Sequence, residues 1–172
     1  MEHNHTNNSP HKPKYTFNDF LPLIVLFSLI GIITLGHQLI YGWSFQAAMR
    51  ICMAAFFLIF GFFKVINING FAQAYSMYDL IAQQIYAYGY VYPFLELGLG
   101  FAYLFQWQLY AVNIFTFCLM FISAIGVFNE LRKGKQIVCA CLGTVFKVPM
   151  TYVTLAEDLI MAGMALLMLF RS

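Results

Sequence analysis

Charge is what this sequence has least of. Only 9% of its 172 residues are Asp, Glu, Lys or Arg, where soluble domains carry about a quarter, so the composition belongs to a membrane protein. The nine lysines and arginines are dispersed, which leaves no basic face for nucleic acid. Polar stretches are too short to build a second core, and one membrane domain is the natural count. There is no G-x-S-x-G, no H-E-x-x-H and no Gly-rich phosphate loop, so hydrolase and nucleotide readings lack support. Cysteine is confined to Cys52, Cys118, Cys139 and Cys141, without the two separated pairs a cysteine relay across a membrane would need. No cleavable leader is expected. Polar MEHNHTNNSPHKPKYTFN comes first and no small-residue cleavage site follows LPLIVLFSLIGIITLG, which is expected to stay as a transmembrane helix.

What is abundant is apolar sequence, 62% of the chain, in runs long enough for the roughly 20 residues of helix that cross a bilayer. Hydropathy predicts an all-α protein with five spans, near Phe20–Tyr41, Ala47–Ile66, Tyr88–Phe105, Leu109–Phe128 and Tyr152–Phe170. Residues 1–19 form a polar, His-bearing tail with no apolar periodicity, expected to be disordered. Between the second and third spans, Phe71, Tyr75, Tyr78, Ile81 and Ala82 recur at helical spacing opposite Gln73 and Gln84, which predicts a helix lying along the interface. Tyr86, Tyr88, Tyr90 and Tyr92 read as an aromatic belt at headgroup level. An odd number of spans puts the termini on opposite sides. Lys12, Lys14, Lys64, Arg132, Lys133, Lys135 and Lys147 then face Arg50 and Arg171, seven against two. The positive-inside rule places the N-terminus in the cytoplasm and the C-terminus outside.

Ionisable side chains within spans are costly and mark function by default. Lys64, Glu96, Glu157 and Asp158 are such residues, all toward the face bearing the 134–149 loop, and a bundle can bring them together. Three carboxyls face one lysine, so a carboxyl keeps its proton, another cation folds in or binds, or Lys64 pairs one acid while the others reach water.

The loop GKQIVCACLGTVFKVP carries Cys139 and Cys141 one residue apart. Thiolates at that spacing can close a strained, labile disulfide or hold a soft ion such as copper, zinc or mercury, and two inert cysteines are the third reading. Met161, Met164 and Met168 share a face with Glu157, and Met49, Cys52 and Met53 share one near the opposite surface, so a soft-ligand route can be drawn as well as plain core packing. His3, third from the start, suits copper or nickel with His5 assisting. Cys118 reads as packing and His37 as an interfacial hydrogen-bonder.

The segments FFKVINING, YDLIAQQIYAYGYVYPFLELGLGFAYL and CACLGTVFKVPMTYVTLAEDLIMAGMALLML, in that order from about Ala47 to Leu169, resemble the MauE/DoxX group of redox-associated membrane proteins. Lys64, Pro93 with Glu96, and Cys139, Cys141 and Gly143 match the family pattern. The resemblance implies a DoxX-like four-helix transmembrane bundle over 47–170, with 20–42 as one extra N-terminal helix. It also implies a membrane location in a bacterium. MauE-type members are associated with maturation of the disulfide-rich methylamine dehydrogenase alongside a thioredoxin-like partner, and some relatives with a metal-binding domain in front point to metal handling. On this resemblance Cys139 and Cys141 are a redox pair, with Lys64, Glu96, Glu157 and Asp158 as its charged surroundings. Soft-metal transport and a non-catalytic assembly role are the competing expectations.

Overall fold

The computed structural model of the chain describes residues 17–133 and 152–171, with the side chains of residues 17–20, 152 and 153 excepted. The described residues form six helices and no strand: α1 (Phe17–Tyr41), α2 (Phe45–Ile66), α3 (Ile68–Tyr75), α4 (Tyr88–Leu104), α5 (Leu109–Arg132) and α6 (Tyr152–Phe170). Three of these, α1, α2 and α5, are long and apolar enough to cross a membrane. At 17 residues, α4 spans about 26 Å at 1.5 Å per residue. The first two turns of α6 carry Glu157 and Asp158.

Packing follows pairs. Among the described elements α2 packs most extensively on α4 and α5 on α6, while α1 touches α2 alone. Small residues let the first pair close: a β-carbon on Gly100 would stand 2.7 Å from Leu58 Cγ, and one on Gly61 3.1 Å from Leu97. Close backbone approach of this kind is how membrane helices gain packing energy when lipid is as apolar as their side chains. On α5 the inward stripe is Asn113, Thr116, Met120, Ser123, Val127 and Glu130, all buried and spaced by three and four. Cys118 falls off that stripe and is exposed rather than packed.

The α1 helix buries Leu23, Leu26 and Ile30 on one face and exposes most of its other apolar side chains. Its hydroxyls need no outside partner, because Ser28 Oγ donates to Ile24 O and Thr34 Oγ1 to Ile30 O. The turn into α2 is held by the buried Gln38. Its Nε2 donates to Ser44 O at 2.9 Å and its Oε1 accepts from Ser44 N at 2.8 Å, around Gly42 at φ 91°. Ser44 then caps α2 by accepting from Ala47 N.

The segment expected to be one interfacial helix differs. It is helical only to Tyr75, then runs through turns to Ala87. Phe71, Tyr75, Tyr78 and Ala82 are buried in the protein core. Asp79 explains the break: its Oδ1 accepts from Ile81 N and Ala82 N at 2.9 and 2.8 Å, and its Oδ2 from Tyr75 Oη at 2.9 Å. A carboxylate that engages the backbone locally competes with helix continuation. The turn also lies against α5, where a β-carbon on Gly126 would meet Tyr78 O at 2.6 Å.

Candidate functional site

Four helices bring charge and polarity to one buried place. Lys64 comes from the last turn of α2, Glu96 from the middle of α4, Ser123 from α5, and Glu157 with Asp158 from the start of α6. They line a cavity of about 30 Å³, room for about one water molecule. All four ionisable residues marked in the sequence therefore meet.

Their pairing is specific. Lys64 Nζ lies 2.5 and 2.7 Å from the two oxygens of Glu96, and both residues are buried. The same ammonium stands over the rings of Tyr92 and Phe71, 5.1 and 5.5 Å from their centroids. The aromatic faces exclude water while attracting the cation through their quadrupoles. Asp158 Oδ2 accepts from Ser123 Oγ at 2.9 Å. Glu157 is 7% exposed, and its Oε1 is buried with no hydrogen-bond partner. One lysine thus faces three carboxyls, and its ion pair is made with Glu96.

Aromatic hydroxyls surround the pair. Tyr92, 2% exposed, packs its ring 4.5 Å from that of Tyr75 and 6.0 Å from Phe71. Burial pushes the Tyr75 phenol well above its ordinary range, which keeps it protonated and donating to Asp79. Of the expected tyrosine belt, Tyr86 is exposed and pairs edge-on with Tyr90, whereas Tyr92 belongs to the interior.

The other marked residues are placed differently. Met49, Met53, Met161 and Met168 are buried in the hydrophobic core, with Cys52 and Met164 packed against it. Among the described residues no group of three or more His, Cys, Asp or Glu is arranged to hold a metal ion. The rings of His37 and Tyr41 lie 4.8 Å apart, tilted by 34°, and the buried Nδ1 of His37 has no hydrogen-bond partner among the described residues. Cys139, Cys141, His3 and His5 lie outside the described residues.

Sequence reasoning missed Tyr92, Tyr75, Ser123 and Asp79 as members of this environment. A signal existed for two of them. Tyr92 precedes Glu96 by four residues and so shares its helical face, and Ser123 lies on the polar stripe of Asn113 and Thr116.

The family model described as methylamine utilisation protein MauE matches residues 42–171, the whole of α2 to α6. Comparison with curated proteins and with solved structures gives no match. The matched region contains every side chain of the buried cluster and two of the helices able to cross a membrane, and the chain belongs to the MauE family of membrane proteins.

Proposed function

We propose that this MauE-family protein exchanges thiols and disulfides with a thioredoxin-like partner through Cys139 and Cys141, and so supports the maturation or redox state of another protein. One observation carries the reading. The chain leaves α5 after Lys133 and enters α6 at Tyr152, at the end of the helices where Glu157, Asp158 and the Lys64–Glu96 pair gather. Both cysteines lie in the sequence between those points.

Exchange needs no further reagent. The thiolate of one cysteine attacks the partner's disulfide, forming a mixed disulfide and releasing one partner thiolate. The second cysteine then displaces the other partner sulfur and closes the Cys139–Cys141 disulfide. Two electrons pass to the partner, and the two protons shed by the cysteines end on its thiols. The reverse sequence oxidises a partner dithiol. Lys64, Glu96, Glu157 and Asp158 act as positioning and proton-exchanging groups beside the pair.

The accompanying architecture is a DoxX-like bundle of α2, α4, α5 and α6 over 47–170, with 20–42 as an added helix and 1–19 as a polar tail. The protein sits in a bacterial inner membrane with the N-terminus and the cysteine pair cytoplasmic, as the lysine and arginine distribution favours. A second reading is soft-metal binding or transport. It is supported by the methionine face of α6 and by the reduced state in which cytoplasmic thiols are kept.

Purified protein separates the readings. Titration of Cys139 and Cys141 with dithiol buffers, read by alkylation, is expected to show one two-electron transition and no stoichiometric metal. Stoichiometric copper or zinc lost in Cys139→Ser, Cys141→Ser protein would replace exchange with metal handling. Neither signal would leave an assembly role. Labelling of Cys139 by a membrane-impermeant maleimide in intact cells would overturn the orientation.

A further inference from the structure

The opposite end of the helices carries a second cavity that the redox reading does not use. It is open and about 440 Å³ in volume, with Arg50, Arg171, Asn113, Gln46 and Gln106 among its lining. Arg50 and Lys64 share α2 but lie 14 positions apart, roughly 21 Å along the axis.

The charged side chains of its described lining are both basic. No Asp or Glu lines it, and among the described residues no salt bridge involves either arginine. Arg50 Nη1 donates to Tyr103 O and Leu104 O at 3.1 and 3.3 Å, which points the guanidinium across the end of α4. Arg171 sets its guanidinium over Phe45, 5.3 Å from the ring centroid, and among the described residues neither its donors nor Arg50 Nε and Nη2 have a hydrogen-bond partner. Gln46 Nε2 donates to Arg171 O at 2.8 Å and ties the end of the chain to α2. Asn113 is 1% exposed; its Oδ1 accepts from Tyr103 Oη at 2.8 Å, so its NH₂ is the remaining donor.

Backbone dipoles at the cavity oppose one another. The first turns of α2 and α5 border it, with partial positive charge, and so does the last turn of α6, with partial negative charge. The α5 N-cap, Gln108, makes no side-chain cap bond. Gln106 and Gln108 both adopt positive φ, 58° and 47°, a region disfavoured for residues with a β-carbon. Trp43 and Trp107, the only tryptophans of the chain, are 79% and 70% exposed at this end, and tryptophan favours the headgroup level of a bilayer.

We propose that this cavity is an oxyanion site that takes a phosphate group, from a phospholipid headgroup or from free phosphate. Two guanidinium forks, whose planar donors suit phosphate oxygens, converge there with the Asn113 amide, and among the described residues no Asp or Glu lines the cavity.

The test uses the full chain. Native mass spectrometry in detergent compares retention of phosphatidylglycerol with that of monoglucosyl diacylglycerol, which has no phosphate, and inorganic phosphate is titrated calorimetrically into protein held in phosphate-free maltoside micelles. Preferential retention of phosphatidylglycerol without phosphate binding identifies a headgroup; saturable binding of inorganic phosphate identifies the free anion. Arg171→Gln is expected to weaken the observed binding by at least about tenfold, the worth of one charge-assisted hydrogen bond. Because Arg50 also caps α4, Arg50→Lys accompanies Arg50→Gln, and the lysine variant is expected to bind between wild type and Arg50→Gln. Absence of both lipid preference and phosphate binding in wild type overturns the proposal. So does Arg171→Gln binding that equals wild type.

Discussion

Replacing Lys64 by Met, Glu96 by Leu, and both together tests what the buried pair contributes. Lys64 Nζ sits 2.5 and 2.7 Å from the Glu96 carboxylate, with both residues out of contact with water. Removing one member of such a pair strands a charge and costs about 3–5 kcal/mol, whereas removing both in favour of apolar groups of similar volume is close to neutral. Additive behaviour would put the double variant about 6–10 kcal/mol below wild type by the same range. The expected result is a double variant more stable than Lys64→Met, with a coupling energy of at least about 3 kcal/mol. The two singles are not expected to be equal. In Lys64→Met the carboxylate is left and two ring contacts vanish. In Glu96→Leu the ammonium keeps its places over Tyr92 and Phe71 and, from the last turn of α2, reaches toward the membrane surface. Glu96→Leu should therefore be milder by about 1–2 kcal/mol, the worth of desolvated cation–π contacts. Reversible unfolding in mixed detergent and dodecyl sulfate micelles, followed by circular dichroism, measures all four proteins. Additive losses, or a Glu96→Leu loss exceeding that of Lys64→Met, would refute the reasoning.

Two glycines on neighbouring helices give a paired test: Gly126→Ala drives a β-carbon to 2.6 Å from Tyr78 O, while Gly98→Ala meets nothing within 4 Å. Overpacking costs about 1–3 kcal/mol, so the first should destabilise by that amount in the same unfolding assay, and the second should raise stability by about 0.5–1 kcal/mol through the entropy glycine loses on folding. Asp79→Ala removes the acceptor for Tyr75 Oη, Ile81 N and Ala82 N. At about 1–3 kcal/mol for each buried group left unsatisfied, it should lose at least about 3 kcal/mol and open the 76–87 turn to protease. Asp79→Asn keeps an oxygen for the two backbone donors and should lose less, measured by the same proteolysis. Equal proteolysis of the two Asp79 variants would show that the turn does not depend on those backbone bonds.

Most of the helical organisation was legible in the sequence. Helices recur where the five spans were expected, as α1, α2, α4, α5 and α6, and α1, α2 and α5 are long and apolar enough to cross a membrane, because apolar length and helical periodicity are properties of contiguous residues. The charged residues of the site were legible for a related reason: a Lys, Glu or Asp inside an apolar run stands out whatever its partner. Tyr92 and Asp79 did not stand out. Tyrosines near a span end look alike in sequence, and only the packing of Phe71 and Tyr75 against its ring separates buried Tyr92 from exposed Tyr86. Asp79 sat within a pattern that fits an amphipathic helix, and its three hydrogen bonds outweigh that periodicity.

The sequence by itself determined a membrane-embedded helical protein with Lys64, Glu96, Glu157 and Asp158 inside its apolar runs, since runs of about 20 apolar residues are the length a spanning helix needs to satisfy its backbone internally. Which acid Lys64 meets was a tertiary decision. Glu96 lies 32 residues away in the chain and Glu157 much farther. Gly61 and Gly100 let α2 and α4 approach closely, whereas α2 touches α6 only slightly. That difference in backbone approach gives Glu96 the lysine, Asp158 the Ser123 hydroxyl, and leaves Glu157 Oε1 facing the cluster unpaired.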